Sequence, residues 1–272
     1  MNKQIMILVL VSTIFVGCNQ IKLESKWTEQ KITVDGKLDE WQENLVVPKN
    51  SHVGIGFMND ESNLYLTLTT MDRNSIMQAL TRGFTVWIDP KGGKSRRYGF
   101  TYPVGGGMGG FRQMMQDREQ NSRDFDFFIQ DLLSRQNEIE VIGPGKNQMA
   151  RFGINNTAGI DVIAVYEKGV FAYEMKIPLR RSAENLFAVN VKPGKKIGVG
   201  FTTPEMDRSS MRSSKASRGG GMSGGKMPGG GMGGGGGGMG GGRGGGRSGS
   251  TMGNNIPEAM EIWTKVFLSS GK

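Results

Sequence analysis

The sequence has a single cysteine, Cys18, and a single histidine, His52. One cysteine cannot form an intramolecular disulfide, so the fold must rely on core packing or on a bound metal. One histidine excludes a histidine-rich zinc or copper site and leaves His52 as the single possible base of a Ser-His-Asp triad, which we do not favour. The chain has no C-x-x-C-H motif and therefore cannot hold haem covalently. No apolar run reaches the ~20 residues of a membrane-spanning helix.

The N terminus has the pattern of an export signal. Lys3 supplies a positive charge, and residues 5–16 form an apolar run with the length of a signal-peptide core. Residues 15–18, Phe-Val-Gly-Cys, resemble the lipobox of bacterial lipoproteins, with phenylalanine where leucine is usual. The resemblance implies cleavage before Cys18, acylation of that cysteine, for example with palmitate, and lipid anchoring to a membrane of the bacterial cell envelope. An ordinary secretory signal is the alternative.

This pattern divides the chain into three parts. We predict a signal peptide over residues 1–17, a lipidated polar tether over residues 18–30, and one folded domain over residues 31–268. No second apolar run reaches membrane length, so the mature chain is expected to be anchored without spanning the bilayer.

Acidic residues are absent from residues 208–257, a stretch with seven basic residues: Arg208, Arg212, Lys215, Arg218, Lys226, Arg243 and Arg247. The net charge of +9 therefore belongs to this stretch and not to a folded binding face. Arg-Gly runs are typical of nucleic-acid-binding segments. Because an exported protein rarely meets nucleic acid, we predict no such partner and favour attraction to anionic lipid or surface polysaccharide.

Glycine dominates the same region, with 22 glycines among the 36 residues 218–253. Such a composition cannot bury enough apolar area to offset the cost of ordering, which predicts a disordered Gly/Met/Arg-rich loop over about 208–255. Soft thioether ligands favour copper(I), so four methionines could gather around one ion: Met222, Met227, Met232 and Met239. A low-complexity loop whose methionines have no specific role is the alternative.

Alternation of apolar and polar residues predicts strands along most of the remaining chain. They cover residues 53–58, 64–69, 84–89, 98–102, 138–142, 161–167, 170–177, 197–201 and 262–268. About ten short strands joined by turns favour an all-β, antiparallel β-sandwich of the immunoglobulin or jelly-roll kind. A helical insertion is predicted at about 111–136, because Phe125, Phe128, Ile129, Leu132 and Leu133 form one apolar stripe.

Four segments together resemble the family 9 carbohydrate-binding module and its DOMON-type relatives. They are residues 32–41 (ITVDGKLDEW), 59–66 (NDESNLYL), 84–90 (FTVWIDP) and 173–179 (YEMKIPL), followed by a closing hydrophobic strand. The resemblance covers residues 31–268, apart from the helix and both glycine-rich loops. It implies a β-sandwich that often binds sugar, sometimes holds a structural calcium and in some branches holds a haem.

The candidate site residues follow from this resemblance and from the strand pattern. Trp87 alternates out of phase with its apolar neighbours, so we predict a ligand-binding groove of Trp87 with Tyr98 and Tyr102. Packing of Trp87 under the predicted helix is the alternative. Trp41 and Trp263 are expected in the core. Asp35 and Asp39 could supply oxygen ligands for calcium.

The acidic residues show no marked pair for hydrolysis, and many lie in turns, where aspartate caps the backbone. We therefore predict no catalytic residues and an envelope-anchored lipoprotein with a ligand-binding β-sandwich, with a glycan as the expected ligand. A structural or assembly lipoprotein that contacts lipid or a partner through the basic loop is one alternative. A copper or haem carrier, with His52 or a methionine as axial ligand, is another.

Overall fold

The structure is a computed structural model of the 272-residue chain. It describes residues 21–49, 51–105, 122–143, 145, 148–183, 185–205 and 258–271, with the side chains of residues 122–124 excepted. The contacts divide the chain into two units, Met1–Thr203 with Met260–Lys272, and Pro204–Ala259. Nearly all described residues belong to the first unit. Cys18 and the methionines of the predicted copper site lie outside the described residues.

The described residues form twelve strands and two α-helices. In chain order these are β1 (Ile21–Glu24), β2 (Lys26–Trp27), β3 (Val53–Asn59), β4 (Asn63–Thr70), α1 (Arg73–Arg82), β5 (Thr85–Asp89), β6 (Gly99–Thr101), α2 (Ser122–Ser134), β7 (Glu138–Ile142), β8 (Met149–Gly153), β9 (Asp161–Glu167), β10 (Val170–Pro178), β11 (Lys196–Thr202) and β12 (Glu261–Phe267). A 3-10 helix covers Asp39–Trp41.

Two sheets form the predicted β-sandwich, which confirms the fold class. One sheet has seven strands in the order β1-β12-β11-β5-β6-β7-β8, and the other has five in the order β2-β3-β4-β10-β9. Inward-facing side chains of both sheets make one core, in which the Phe84 ring meets the Tyr173 ring edge-on at 4.9 Å and stacks near Phe201 at 6.1 Å. All described pairs are antiparallel except the two edge pairs, β1 with β12 and β2 with β3.

The strands β1 and β2 occupy residues that the sequence assigned to the tether, which was predicted to reach residue 30. Ser25 lies between β1 and β2 and is 2% exposed, and its hydroxyl bonds to Asn59 and to the Phe267 carbonyl. The chain thus passes from the edge of one sheet to the edge of the other without reversing, which makes both edge pairs parallel. The apolar residues of β1 number only two, Ile21 and Leu23, too few for a clear alternation.

The helix α1 was missed in the sequence, which predicted one helical segment. Its signals are local: Asp72 accepts a hydrogen bond from the Ser75 N–H at 2.8 Å as an N-cap, and Gly83 follows the last turn. Ile76 and Leu80 face the core and are buried. The other helix, α2, confirms the predicted stripe, because Phe125 and Ile129 are buried in the core.

The two helices close one end of the sandwich, which we call the helical end. β5 and β12 begin there and β11 ends there, whereas β1 begins halfway along β12 and runs away from this end. α1 connects β4 to β5 across this end. α2 lies beside the ends of both sheets, because Tyr166 in β9 donates to Asp126 at 2.7 Å and Tyr102 after β6 donates to the Gln136 carbonyl at 3.3 Å. Neither described helix is long and apolar enough to cross a bilayer.

Candidate functional site

Trp87 lies on the outer face of the seven-stranded sheet, as its phase predicts. It is half-buried, whereas its neighbours Val86 and Ile88 face the core. Its ring covers Gly99 on β6, where a Cβ atom would be 2.6 Å from the Trp87 ring. Because Trp87 points away from the sandwich, the alternative in which it packs under α2 is wrong.

A second tryptophan lies in the same cross-strand row. Gly200 in β11 pairs with Trp87 on one side and with Trp263 in β12 on the other. The Trp263 ring covers Gly200, and its side chain is 7% exposed. Trp263 is therefore buried, as the sequence predicts, and it lies on the outer face of the seven-stranded sheet. Trp41 is in a small core cluster with Met58 and Tyr65, as predicted.

Threonines form the next row of this outer face, which we call the Trp87 face. The Thr85 and Thr101 hydroxyls are 2.9 Å apart, and the Trp87 indole N–H donates to the Thr202 hydroxyl at 2.9 Å. The Trp263 indole N–H donates to Glu261 at 2.9 Å. Since both indole N–H groups are already paired, the rings can offer a ligand only their faces.

Tyr98 and Tyr102 do not join Trp87, so the predicted grouping of these three residues is wrong. Both tyrosines are 3% exposed and point into the core, on the opposite face of the strand from Gly99. The Tyr98 hydroxyl donates to the Phe187 carbonyl. Burial raises the pKa of both phenols above the usual tyrosine value. Side chains alternate between the two faces of a strand. Gly99 and Thr101 therefore share the face of Trp87, and Tyr98 and Tyr102 lie on the other face.

A cleft on the β8 side of the sandwich combines aromatic and polar side chains, and we call it the aromatic cleft. Its volume is about 570 Å³, and the residues that line it include Phe152, Asn155, Thr157, Leu186 and Phe187. The Phe152 and Phe187 rings are 5.8 Å apart and tilted by 34°, so they touch and make one apolar wall. Asn155 and Thr157 are exposed beside this wall, and Leu186 is 52% exposed.

Asn156 holds the cleft loop in shape. Its amide donates to the carbonyls of Ile154 and Ile160 at 3.0 and 2.9 Å, and its carbonyl accepts from the Ala158 N–H at 3.0 Å. These bonds use most of the hydrogen-bonding capacity of Asn156, which leaves Asn155 and Thr157 as the available polar groups. None of the described residues that line the cleft carries a charge. The cleft was missed in the sequence, where neither phenylalanine belongs to a predicted strand or helix.

A second groove, of about 630 Å³, lies at the helical end and includes His52. Leu45, Val47 and Met71 give it an apolar wall, and Asp72, which lines it with His52, is already the N-cap of α1. His52 is exposed. Haem ligation by His52 or a methionine stays a prediction.

Three carboxylates meet where the loop before the 3-10 helix contacts β10. Asp35, Glu40 and Glu174 offer oxygen atoms that lie within 4.8 Å of one another. Asp39, which the sequence paired with Asp35, is exposed and lies outside this cluster. Glu174 is 1% exposed, and burial raises its pKa to about 6.

Glu174 already has three donors. The backbone N–H groups of Asp35 and Gly36 each donate to one carboxylate oxygen at 3.1 Å, and the Trp41 indole donates to the other at 2.8 Å. The Asp35 carboxylate pairs with Lys37 at 2.8 Å, which lowers its pKa. Calcium takes 6–8 oxygen ligands and no N–H donors. The cluster therefore suits a hydrogen-bonded contact that joins the loop to β10, which we call the Glu174 tie, better than a calcium site.

We expect calcium to leave the stability of the protein almost unchanged, because it would have to displace Lys37 and three N–H donors. Between excess chelator and ~1 mM calcium, the melting temperature should move by less than about 1 °C. A rise of several degrees that Glu40→Gln removes, while Asp39→Asn does not, would instead show that the cluster binds calcium.

No protein-family model matches the chain, and no curated protein matches it significantly. Two solved structures are similar to the chain. They are a family 9 carbohydrate-binding module from Caldicellulosiruptor kristjanssonii in complex with glucose and the same module in complex with cellotriose. Each is 11% identical, covers 70% of this chain and has a TM-score of 0.32, with 80% and 78% of the module covered. They belong to the family that residues 31–268 resemble, but a likeness of this size carries no argument about the ligand.

Proposed function

We propose that this protein is an envelope-anchored lipoprotein whose β-sandwich binds a neutral glycan, without catalysis, in the aromatic cleft. The observation that carries the proposal is the contact between the Phe152 and Phe187 rings beside the exposed Asn155 and Thr157. The anchor is the lipid expected on Cys18.

An apolar wall beside polar groups suits a sugar because a pyranose ring has both kinds of surface. Its C–H groups can cover an aromatic ring, while its hydroxyls need donors and acceptors. Asn155 offers an amide and Thr157 a hydroxyl, each able both to donate and to accept. The cleft volume of about 570 Å³ is within the usual range for small-ligand sites.

The described residues that line the cleft are uncharged, which favours a neutral glycan over an acidic one. The described lining residues give no electrostatic preference for an acidic sugar, so we expect affinity to depend little on ionic strength. These described residues also include no carboxylate that could serve as the acid or nucleophile of a glycosidase. Binding without hydrolysis is the activity that these side chains support.

The Trp87 face is a second location for the same activity. The feature that favours it is the half-buried ring of Trp87, whose outer side could stack against a sugar ring. However, Thr85 and Thr202 are 6% and 7% exposed, so few hydroxyls are within reach of a ligand. The aromatic cleft offers more accessible polar groups, and we place the glycan there.

A glycan array and matched alanine variants test the proposal. The full chain in detergent is applied to neutral and acidic oligosaccharides, and the best neutral binder is titrated by calorimetry. Phe187→Ala removes one ring of the wall and should weaken binding about tenfold, which corresponds to about 1.4 kcal/mol. Asn155→Ala should weaken it as well, and Trp87→Ala should leave it unchanged.

The outcomes separate the two surfaces. The Phe187 carbonyl accepts the Tyr98 hydroxyl through the backbone, so Phe187→Ala keeps that bond and its effect on folding can be checked by thermal unfolding. Loss of binding in Trp87→Ala alone would move the site to the Trp87 face. An array without neutral hits would overturn the proposal.

A further inference from the structure

The first strand runs away from the helical end. Ile21 is the first residue of β1 and pairs with Thr264, the middle residue of β12, so it lies three residues, or ~10 Å, from the start of that strand. Cys18 is three residues earlier, and three extended residues span at most about 10 Å. If Cys18 carries the lipid, as the proposed function states, that reach is enough to bring the lipid to the helical end when residues 18–20 continue the direction of β1. The thirteen-residue tether predicted from the sequence would have allowed any orientation.

Apolar side chains are exposed at the same end. Met71, between β4 and α1, is 69% exposed, and Val47, in the same groove, is 65% exposed. Phe127 is 74% exposed and lies on the opposite side of α2 from the buried Phe125 and Ile129. Large apolar side chains exposed to this degree cost free energy in water, and several on one end mark a contact surface.

Charge is also concentrated on the chain that is joined to this end. β11 ends and β12 begins at the helical end, so the acid-free residues 208–257 connect to the sandwich there. Each Lys or Arg near an anionic bilayer contributes about 1 kcal/mol of attraction. This sign of charge suits a surface of anionic phospholipid.

We propose that the helical end rests on the phospholipid bilayer, with Met71, Val47 and Phe127 at the lipid interface. The proposal rests on the lipid anchor but not on glycan binding. The lipid on Cys18 brings this end to the membrane, and the exposed apolar side chains fix which way the sandwich stands. The strands then run away from the bilayer, and the Trp87 face and the aromatic cleft, on the sides of the sandwich, stay in water.

Single introduced cysteines can report this orientation, because an acylated Cys18 has no free thiol and the chain has no other cysteine. Met71→Cys and Met149→Cys are a matched pair. Met149 is 64% exposed but begins β8 at the end opposite the helical end. The acylated full chain is labelled with a nitroxide and reconstituted into vesicles of phosphatidylglycerol and phosphatidylcholine. Collision rates with oxygen and with a water-soluble nickel complex are then measured.

For the Met71→Cys label, we expect reconstitution to lower the nickel collision rate several-fold and to raise the oxygen rate. Both rates should stay unchanged for the Met149→Cys label. Phe127→Cys provides a second position at the helical end and should follow Met71→Cys. Equal nickel access at all three positions in vesicle-bound protein would overturn the orientation and leave the anchor intact. Failure of the chain to enter vesicles would overturn both, and calorimetric glycan binding in detergent would be untouched by either result.

Discussion

Replacing Glu174 with alanine should lower the free energy of unfolding by about 3 kcal/mol. The carboxylate accepts three N–H donors, and Trp41, one of the residues that supplies them, is itself 1% exposed. Removing the acceptor leaves the buried indole N–H without a partner, which alone costs about 1–3 kcal/mol. It also frees the turn at Asp35 and Gly36. Urea unfolding followed by circular dichroism measures the change, which is a large fraction of a typical domain's stability.

A double-mutant cycle assigns this cost to the indole bond. In a Trp41→Phe background the N–H is gone, so Glu174→Ala should cost about 1 kcal/mol less than in the original chain. Asp39→Ala is the matched control, because Asp39 belongs to the same segment but is exposed. Its expected cost is within about 0.5 kcal/mol. A Glu174→Ala variant as stable as this control would show that the Glu174 tie contributes little to the fold.

The role of Glu174 also explains two of the segments that carry the family resemblance. The sequence presented residues 32–41 and residues 173–179 as separate motifs. In the structure they are one contact: the Asp35-Gly36 turn and the Trp41 indole all donate to Glu174. These residues therefore secure the loop to β10 and are structural. A pairing between segments more than 130 residues apart has no local signal, so the sequence could not show it.

Features that depend on local periodicity could be predicted. The apolar alternation placed the strands β3, β4, β5, β9 and β10 close to their observed bounds, and the helical stripe placed Phe125 and Ile129 in the core. The same alternation correctly turned Trp87 outward. The alternation could not identify the residue beside Trp87 on the next strand. That residue depends on the strand register, which pairs Trp87 with Gly99 and not with a tyrosine.

The aromatic cleft could not be predicted from the sequence either, because its two rings come from segments that are far apart in the chain. Phe152 lies on β8, a five-residue edge strand, and Phe187 lies in an irregular segment 35 residues later. Only the packing of these two segments against the core brings the rings to 5.8 Å. The sequence also had no means of showing that Tyr98 would point inward, where its hydroxyl donates to the carbonyl of Phe187.

The second large effect is expected at Gly200, where valine should destabilise the fold by about 3 kcal/mol. A Cβ atom on this residue would lie 2.7 Å from the Trp263 ring, closer than any van der Waals contact allows. The ring must therefore leave the sheet, and a side chain that is now 7% exposed becomes accessible to water. Urea unfolding measures the loss of stability. Increased quenching of tryptophan fluorescence by acrylamide, compared in a Trp263→Phe background, identifies the ring that moved.

Gly153→Val is the matched control because Gly153 ends the edge strand β8 of the same sheet. There the nearest heavy atom to a Cβ would be the Asn137 carbonyl at 3.8 Å, an ordinary contact. Valine also suits a strand better than glycine, so this variant should be neutral or slightly stabilising. If Gly200→Val were equally neutral, the ring of Trp263 would not depend on the glycine beneath it. By the same argument Trp87 depends on Gly99, because a Cβ atom there would lie 2.6 Å from its ring. Both rings can therefore lie flat on the outer face only because the residue beneath each of them is a glycine.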